Sequence, residues 1–185
     1  MILLFAVILS LLIALLRGGR LYQLGSISFC YGWVALLAFA LQVLIIYFPL
    51  PKTQGFWGVR TLLLLGSYVL LGLVIFANRH LPGLPLLGLG FALNLLVMVV
   101  NGGFMPITPQ ALEKAGLGHL ALGNEPGARI LNAKDVLLAR EETHLWVLSD
   151  IFALPPPIKS VFSIGDLLLS IGVFILFQRT MRAKA

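Results

Sequence analysis

The chain has 185 residues, 59% of them hydrophobic and 11% charged, with a mean hydropathy of +1.01, against a soluble norm of roughly 45–50% apolar and about 25% charged. That composition excludes an ordinary water-soluble domain and predicts one all-α, polytopic membrane domain over residues 1–185, whose core is the packing between its spans. The net charge of +6 comes without a basic run interleaved with aromatics, which speaks against nucleic acid as a partner. The single Cys30 excludes an intramolecular disulfide and a cysteine-based metal site.

Five apolar segments have about the 17–25 residues a spanning helix needs: Met1–Leu16, Ile27–Leu50, Val59–Ala77, Leu84–Val100 and Val161–Gln178. The first has no basic stretch before it and no small-residue cleavage site after it, so it is expected to be kept as a span rather than removed as a signal peptide. Arg17, Arg20, Arg79, Arg179, Arg182 and Lys184 fall on one set of short connections. By the positive-inside rule they place the N-terminus outside, the C-terminus in the cytoplasm and the long loop 101–160 outside, in a multi-pass cell-membrane protein. The opposite short loop holds Lys52 and Arg60.

The long loop carries its own local signals. Thr108 as N-cap, Pro109 at the first helical position and Gly116 at the end predict a short helix. A second amphipathic stretch runs over Ala133–Leu138, and the apolar stretch Leu145–Leu154 stops at Pro155-Pro156-Pro157, which cannot continue a helix. The loop is expected to form a partly structured extracytoplasmic cap.

Asp166 is the one acidic residue inside a long apolar run, and a carboxylate near hydrocarbon is a functional-site hypothesis by default. Ser163, Asp166 and Ser170 share a helical face, and Gly165 and Gly172 form a neighbouring stripe that lets another helix approach closely. Asn94 and Asn101 also lie on one face, and Asn101 opens Asn101-Gly102-Gly103, whose glycines permit a positive-φ turn with exposed N–H groups. Each has a structural alternative: Asp166 and Asn94 as hydrogen-bonders between helices, Asn101 as a C-cap. Asp150, before the prolines, is the candidate second acid of a dyad with Asp166; a solvated loop acid is its alternative reading. His80, His119 and His144 show no ligand spacing, so no metal is expected, and nothing calls for a cofactor. Trp57, Trp146 and Tyr47 read as anchors at span ends.

Four stretches, taken in order, resemble a bacterial integral membrane family known as domain-of-unknown-function family 5317. They are Leu16–Leu21, Asn101–Pro106 with Thr108–Leu112, Leu148–Ile151 and Phe162–Asp166. The resemblance covers nearly the whole length and implies a membrane class without an activity. A second, local resemblance covers about the last forty residues. Phe162-Ser163-Ile164-Gly165-Asp166 looks like the Phe-Asn-x-Ala-Asp motif of lipoprotein signal peptidases, which are membrane aspartic proteases. Ser163 stands where that motif has Asn and Gly165 where it has Ala. Gly123-Asn124-Glu125-Pro126 lacks the Asp of the family's other catalytic motif.

The resulting expectation is a protein with an outward-facing polar pocket. Asn101, Gly102, Gly103, Asn94 and Ser163 would serve binding, with Asp150 and Asp166 beside them, for a small-molecule, lipid or membrane-protein partner in a lipid bilayer. The alternatives are an intramembrane aspartic hydrolase using Asp166 and Asp150, and a proton-coupled transporter.

Overall fold

The structure is a computed structural model, and it describes residues 2–47, 58–122, 127–128, 130 and 135–181. Lys52, Trp57, the Gly123–Pro126 stretch, Arg182 and Lys184 lie outside the described residues, and so does the start of the Ala133–Leu138 segment.

Among the described residues the α-helices are α1 (Ile2–Leu16), α2 (Gly32–Tyr47), α3 (Val59–Ala77), α4 (Leu84–Val100), α5 (Pro109–Lys114) and α6 (Ile164–Thr180). Two small sheets accompany them. Strands β1 (Met105–Ile107) and β2 (Asp135–Leu137) pair in parallel, with Met105 opposite Asp135. Strands β3 (Phe152–Leu154) and β4 (Ser160–Phe162) form an antiparallel hairpin, with Phe152 opposite Phe162 and the three prolines in its turn. Helix α6 packs against α4 on one side and α1 on another, while α3 packs between α2 and α4.

The long helices fall where apolar runs were read, but two begin later than those runs. The side chain of Asn78, at the end of α3, clasps the backbone of Cys30: Cys30 N–H donates to Asn78 Oδ1 at 2.8 Å, and Asn78 Nδ2 donates to Cys30 O at 2.9 Å. Cys30 is thereby held out of helical pairing, and α2 starts at Gly32 instead of Ile27. At the other end of the chain, Val161 and Phe162 are taken by the β3–β4 ladder, and α6 starts at Ile164.

These boundaries correct the membrane expectation. Within the described residues the five long helices have 15, 16, 19, 17 and 17 residues, which at 1.5 Å per residue is about 22 to 29 Å, short of a hydrocarbon core of about 30 Å. The longest, α3, has Arg60 at its second position. Among the described residues no helix is long and apolar enough to cross a membrane. The expectation of a polytopic, multi-pass cell-membrane protein with five spans, outer N-terminus and cytoplasmic C-terminus is therefore overturned. The fold is mostly helical, and the loop between α4 and α6 carries one short helix and the four strands.

Two apolar cores hold these elements. One joins α2, α3, α4 and β1 through Ile45, Leu64, Tyr68, Val97, Met98 and Met105, with Tyr68 stacked on Phe91 at 5.1 Å. The other sits under α5 and the parallel sheet and contains Ile107, Ala111, Leu112, Ile130 and Leu137. Ala111 and Leu112 therefore face inward, and Gln110 and Lys114, one turn apart, stand exposed on α5.

Candidate functional site

Helix α6 opens with a closed circuit of hydrogen bonds. Ser163 is its N-cap, and its Oγ accepts from Asp166 N–H at 3.0 Å and donates to Asn94 Oδ1 of α4 at 2.8 Å. Asn94 Nδ2 donates to Asp166 Oδ1 at 2.7 Å, and Asp166 Oδ2 accepts a long bond, 3.5 Å, from Ser163 N–H. Asp166 thus completes a reciprocal cap of the Ser-x-x-acid kind and places a negative charge where the helix dipole favours one. Asn94 is 2% exposed and Ser163 0% exposed, so bonding both ends of the amide removes what would otherwise be a costly burial. Ser170 Oγ donates to Asp166 O at 2.8 Å.

Glycines set the distance across this joint. A Cβ on Gly165 would overlap Asn94 Oδ1, and one on Gly172 would lie 2.7 Å from Leu87 N and 2.8 Å from Gly83 O. The stripe read from Gly165 and Gly172 is the α4-facing side of α6.

Asn101 lies on the same face of α4 as Asn94 but about 10 Å further along its axis, and its hydrogen bonds form a separate group. Its Nδ2 donates to Val97 O and to His144 O, each at 2.8 Å, and its Oδ1 accepts from His144 N–H at 2.9 Å. This is the grip that Asn78 has on Cys30, repeated at the end of the next helix. Gly102 and Gly103 turn the chain at φ of 81° and 91°, and Gly103 N–H donates to Met98 O at 2.7 Å. That N–H serves the helix end. Asp150, 4% exposed, lies on the far side of β1 from β2: it is bridged in parallel to Ile107, and its N–H donates to Pro106 O at 3.2 Å.

Among the described residues an open concavity lies elsewhere, beside α5. It has a volume of about 400 Å³ and is lined by Gln110, Ala111 and Lys114 of α5, by Arg140 and Glu141, and by Trp146, with Thr108, Pro109, Ala139, Ser149 and Ile151 around them. Two short 3-10 turns, Arg140–Glu142 and Trp146–Leu148, supply the other charged and aromatic lining groups. Each is pinned by its own hydrogen bonds. Thr143 Oγ1 donates to Ala139 O at 2.8 Å, and Ser149 Oγ donates to Trp146 O at 2.6 Å. Between them Leu145 takes φ of 53°, folding the second turn back so that the Arg140 guanidinium lies over the Trp146 ring, 3.7 Å from its centroid.

Sequence reasoning missed this groove. Trp146 reads as an anchor and nothing local marks Arg140 as its partner, because side chains six residues apart meet on neither regular element: on a helix they point about 120° apart and on a strand they share a face but lie about 20 Å apart. Only the pinned turns and the positive φ at Leu145 bring the two together. On α5 the signal was legible: Thr108 Oγ1 accepts from Ala111 N–H at 3.2 Å, as its N-cap reading requires. Among the described residues no group of three or more His, Cys, Asp or Glu side chains is placed to hold a metal ion.

A family model described as a family of unknown function, DUF5317, matches residues 26–178. An uncharacterized protein of Thermotoga maritima is 33% identical over 132 residues, which cover 70% of this chain and 71% of that protein. No solved structure matches the chain. Neither match bears on the resemblance of the last helix to lipoprotein signal peptidases. The matched span runs from Ser26, ahead of α2, to the last turn of α6, taking in the α4–α6 joint, both asparagine grips and the α5 groove, and on it the chain belongs to the family of unknown function DUF5317.

Proposed function

We propose that this protein binds a small organic molecule in the groove beside α5, without catalysing a reaction on it. The observation that carries the reading is the groove itself: about 400 Å³, within the range of ligand sites, with an arginine stacked on a tryptophan in its wall. Its surroundings favour a preformed site. The capped α5 rests on its own apolar core, and the two turns that line the groove with it are held by internal hydrogen bonds, so little ordering cost falls on binding. A binding role also agrees with Asp166, whose carboxylate is engaged by Ser163 and Asn94.

The experiment is a thermal-shift screen of the full chain against Gln110→Phe, a variant that places a ring in the groove from an exposed helix position. A ligand at 100 times its Kd stabilises the folded state by about 2.7 kcal/mol. The expected result is a set of small organic compounds that raise Tm of the parent protein and fail to raise that of the variant. If every stabilising compound acts equally on both, the groove is not the site.

A further inference from the structure

We propose that the ligand of this groove is a planar organic anion, its carboxylate held by Arg140 and Lys114; this rests on the binding role proposed above and adds the charge class of the ligand. Stacking on Trp146 occupies one face of the Arg140 guanidinium. It leaves the in-plane N–H edge free, and that edge is the part of arginine that matches a carboxylate bidentately. Among the described residues no ion pair engages Arg140 or Lys114, and both stand exposed in the groove lining. The tryptophan also holds the guanidinium flat and in place, which lowers the ordering cost that makes most exposed ion pairs weak.

Lys114 is a second cation of the groove lining and sits in the last turn of α5, where its charge also complements the helix dipole. The groove lining holds two cations against one acid, Glu141, so the balance favours an anion over a neutral or cationic ligand. The apolar lining from Ala111, Pro109, Ile151 and the Trp146 ring suits a flat hydrocarbon body. An anion lacking that body, such as acetate, would have only the exposed charges to hold it.

The test uses the full chain carrying Trp33→Phe and Trp57→Phe, so that Trp146 is the one tryptophan, excited at wavelengths where tyrosine does not absorb. The probes are trans-cinnamate and its neutral counterpart cinnamyl alcohol. Cinnamate is expected to quench Trp146 saturably and to bind about tenfold more tightly than the alcohol, in line with charge-assisted hydrogen bonds. Arg140→Gln should bring the two probes within about twofold of each other, Lys114→Gln should narrow the gap less, and Gln110→Phe should block both. Equal affinity for the two probes, both blocked by Gln110→Phe, overturns the anion class and leaves the groove standing. Cinnamate binding indifferent to Arg140→Gln likewise overturns it. No saturable quench by either probe, or quenching untouched by Gln110→Phe, overturns the binding role together with the class.

Discussion

The carboxylate of Asp166 accepts from the backbone of its own helix cap and from the buried amide of Asn94, so replacing it tests two bonds at once. Asp166→Asn can still accept from Asn94 but gives up the charge and the acceptor facing Ser163 N–H. That bond is long, so the loss should be small, about 0.5–1.5 kcal/mol. Asp166→Ala removes both acceptors and strands Asn94 Nδ2 in the interior, adding a further penalty of about 1–3 kcal/mol. Chemical denaturation should therefore rank the proteins parent, Asn, Ala, with the larger step between Asn and Ala. A hydrolytic role would instead make the Asn variant stable and functionally dead. If Asn and Ala are equally destabilised, the Asn94 bond does not carry the weight assigned to it.

The joint between α4 and α6 depends on atoms that are missing. At Gly172 an added Cβ would lie 2.7 Å from Leu87 N, and at Gly90 it would lie 2.8 Å from Leu169 N. Both obstacles are backbone, which cannot swing aside. Gly90→Ala and Gly172→Ala should each destabilise by about 1–3 kcal/mol, the usual cost of overpacking. Gly66, exposed on α3, meets nothing within 4 Å. There Ala should stabilise by up to about 1 kcal/mol through helix propensity. Opposite signs in paired unfolding midpoints test the assignment, and a gain at Gly172 would refute it. The α6 side of this joint was legible in the sequence because Gly165 and Gly172 recur at helical spacing, whereas Gly90 on α4 was not, and α5 was legible because Thr108, Pro109 and Gly116 are local signals. Ala133–Leu138 reads as amphipathic, yet Asp135–Leu137 forms a strand, because pairing with Met105–Ile107 some thirty residues away is invisible to local periodicity. The starts of α2 and α6 were misread for the same reason: Asn78 claims Cys30 from 48 residues away, and β3 claims Val161 and Phe162.

Large apolar side chains crowd the outside of the first three helices. Leu4, Ile8 and Leu12 line one side of α1, Trp33 and Leu36 stand 69% and 72% exposed on α2, and Phe39, Leu73 and Phe76 are each at least 60% exposed. Neither α1 nor α2 contains a charged residue, so these surfaces have nothing to repel an equally apolar one. Exposed apolar surface of this extent is an interaction surface or a liability to association. The net charge of +6 opposes association, but at physiological salt it is screened beyond about 8 Å. Each Leu or Phe side chain covered by a neighbour gains about 1.5–3 kcal/mol, so a handful of them outweighs the repulsion. In aqueous buffer without amphiphile the chain should sediment as associated species at micromolar concentration, more so as salt is raised. Non-ionic detergent should disperse it. The double variant Leu36→Lys with Phe39→Lys, which places two charges on the exposed part of α2 and touches neither core, should shift sedimentation velocity toward the monomer in plain buffer. Sedimentation of the parent chain as a monomer in plain buffer at every salt concentration would refute the assignment of these side chains to an associating surface.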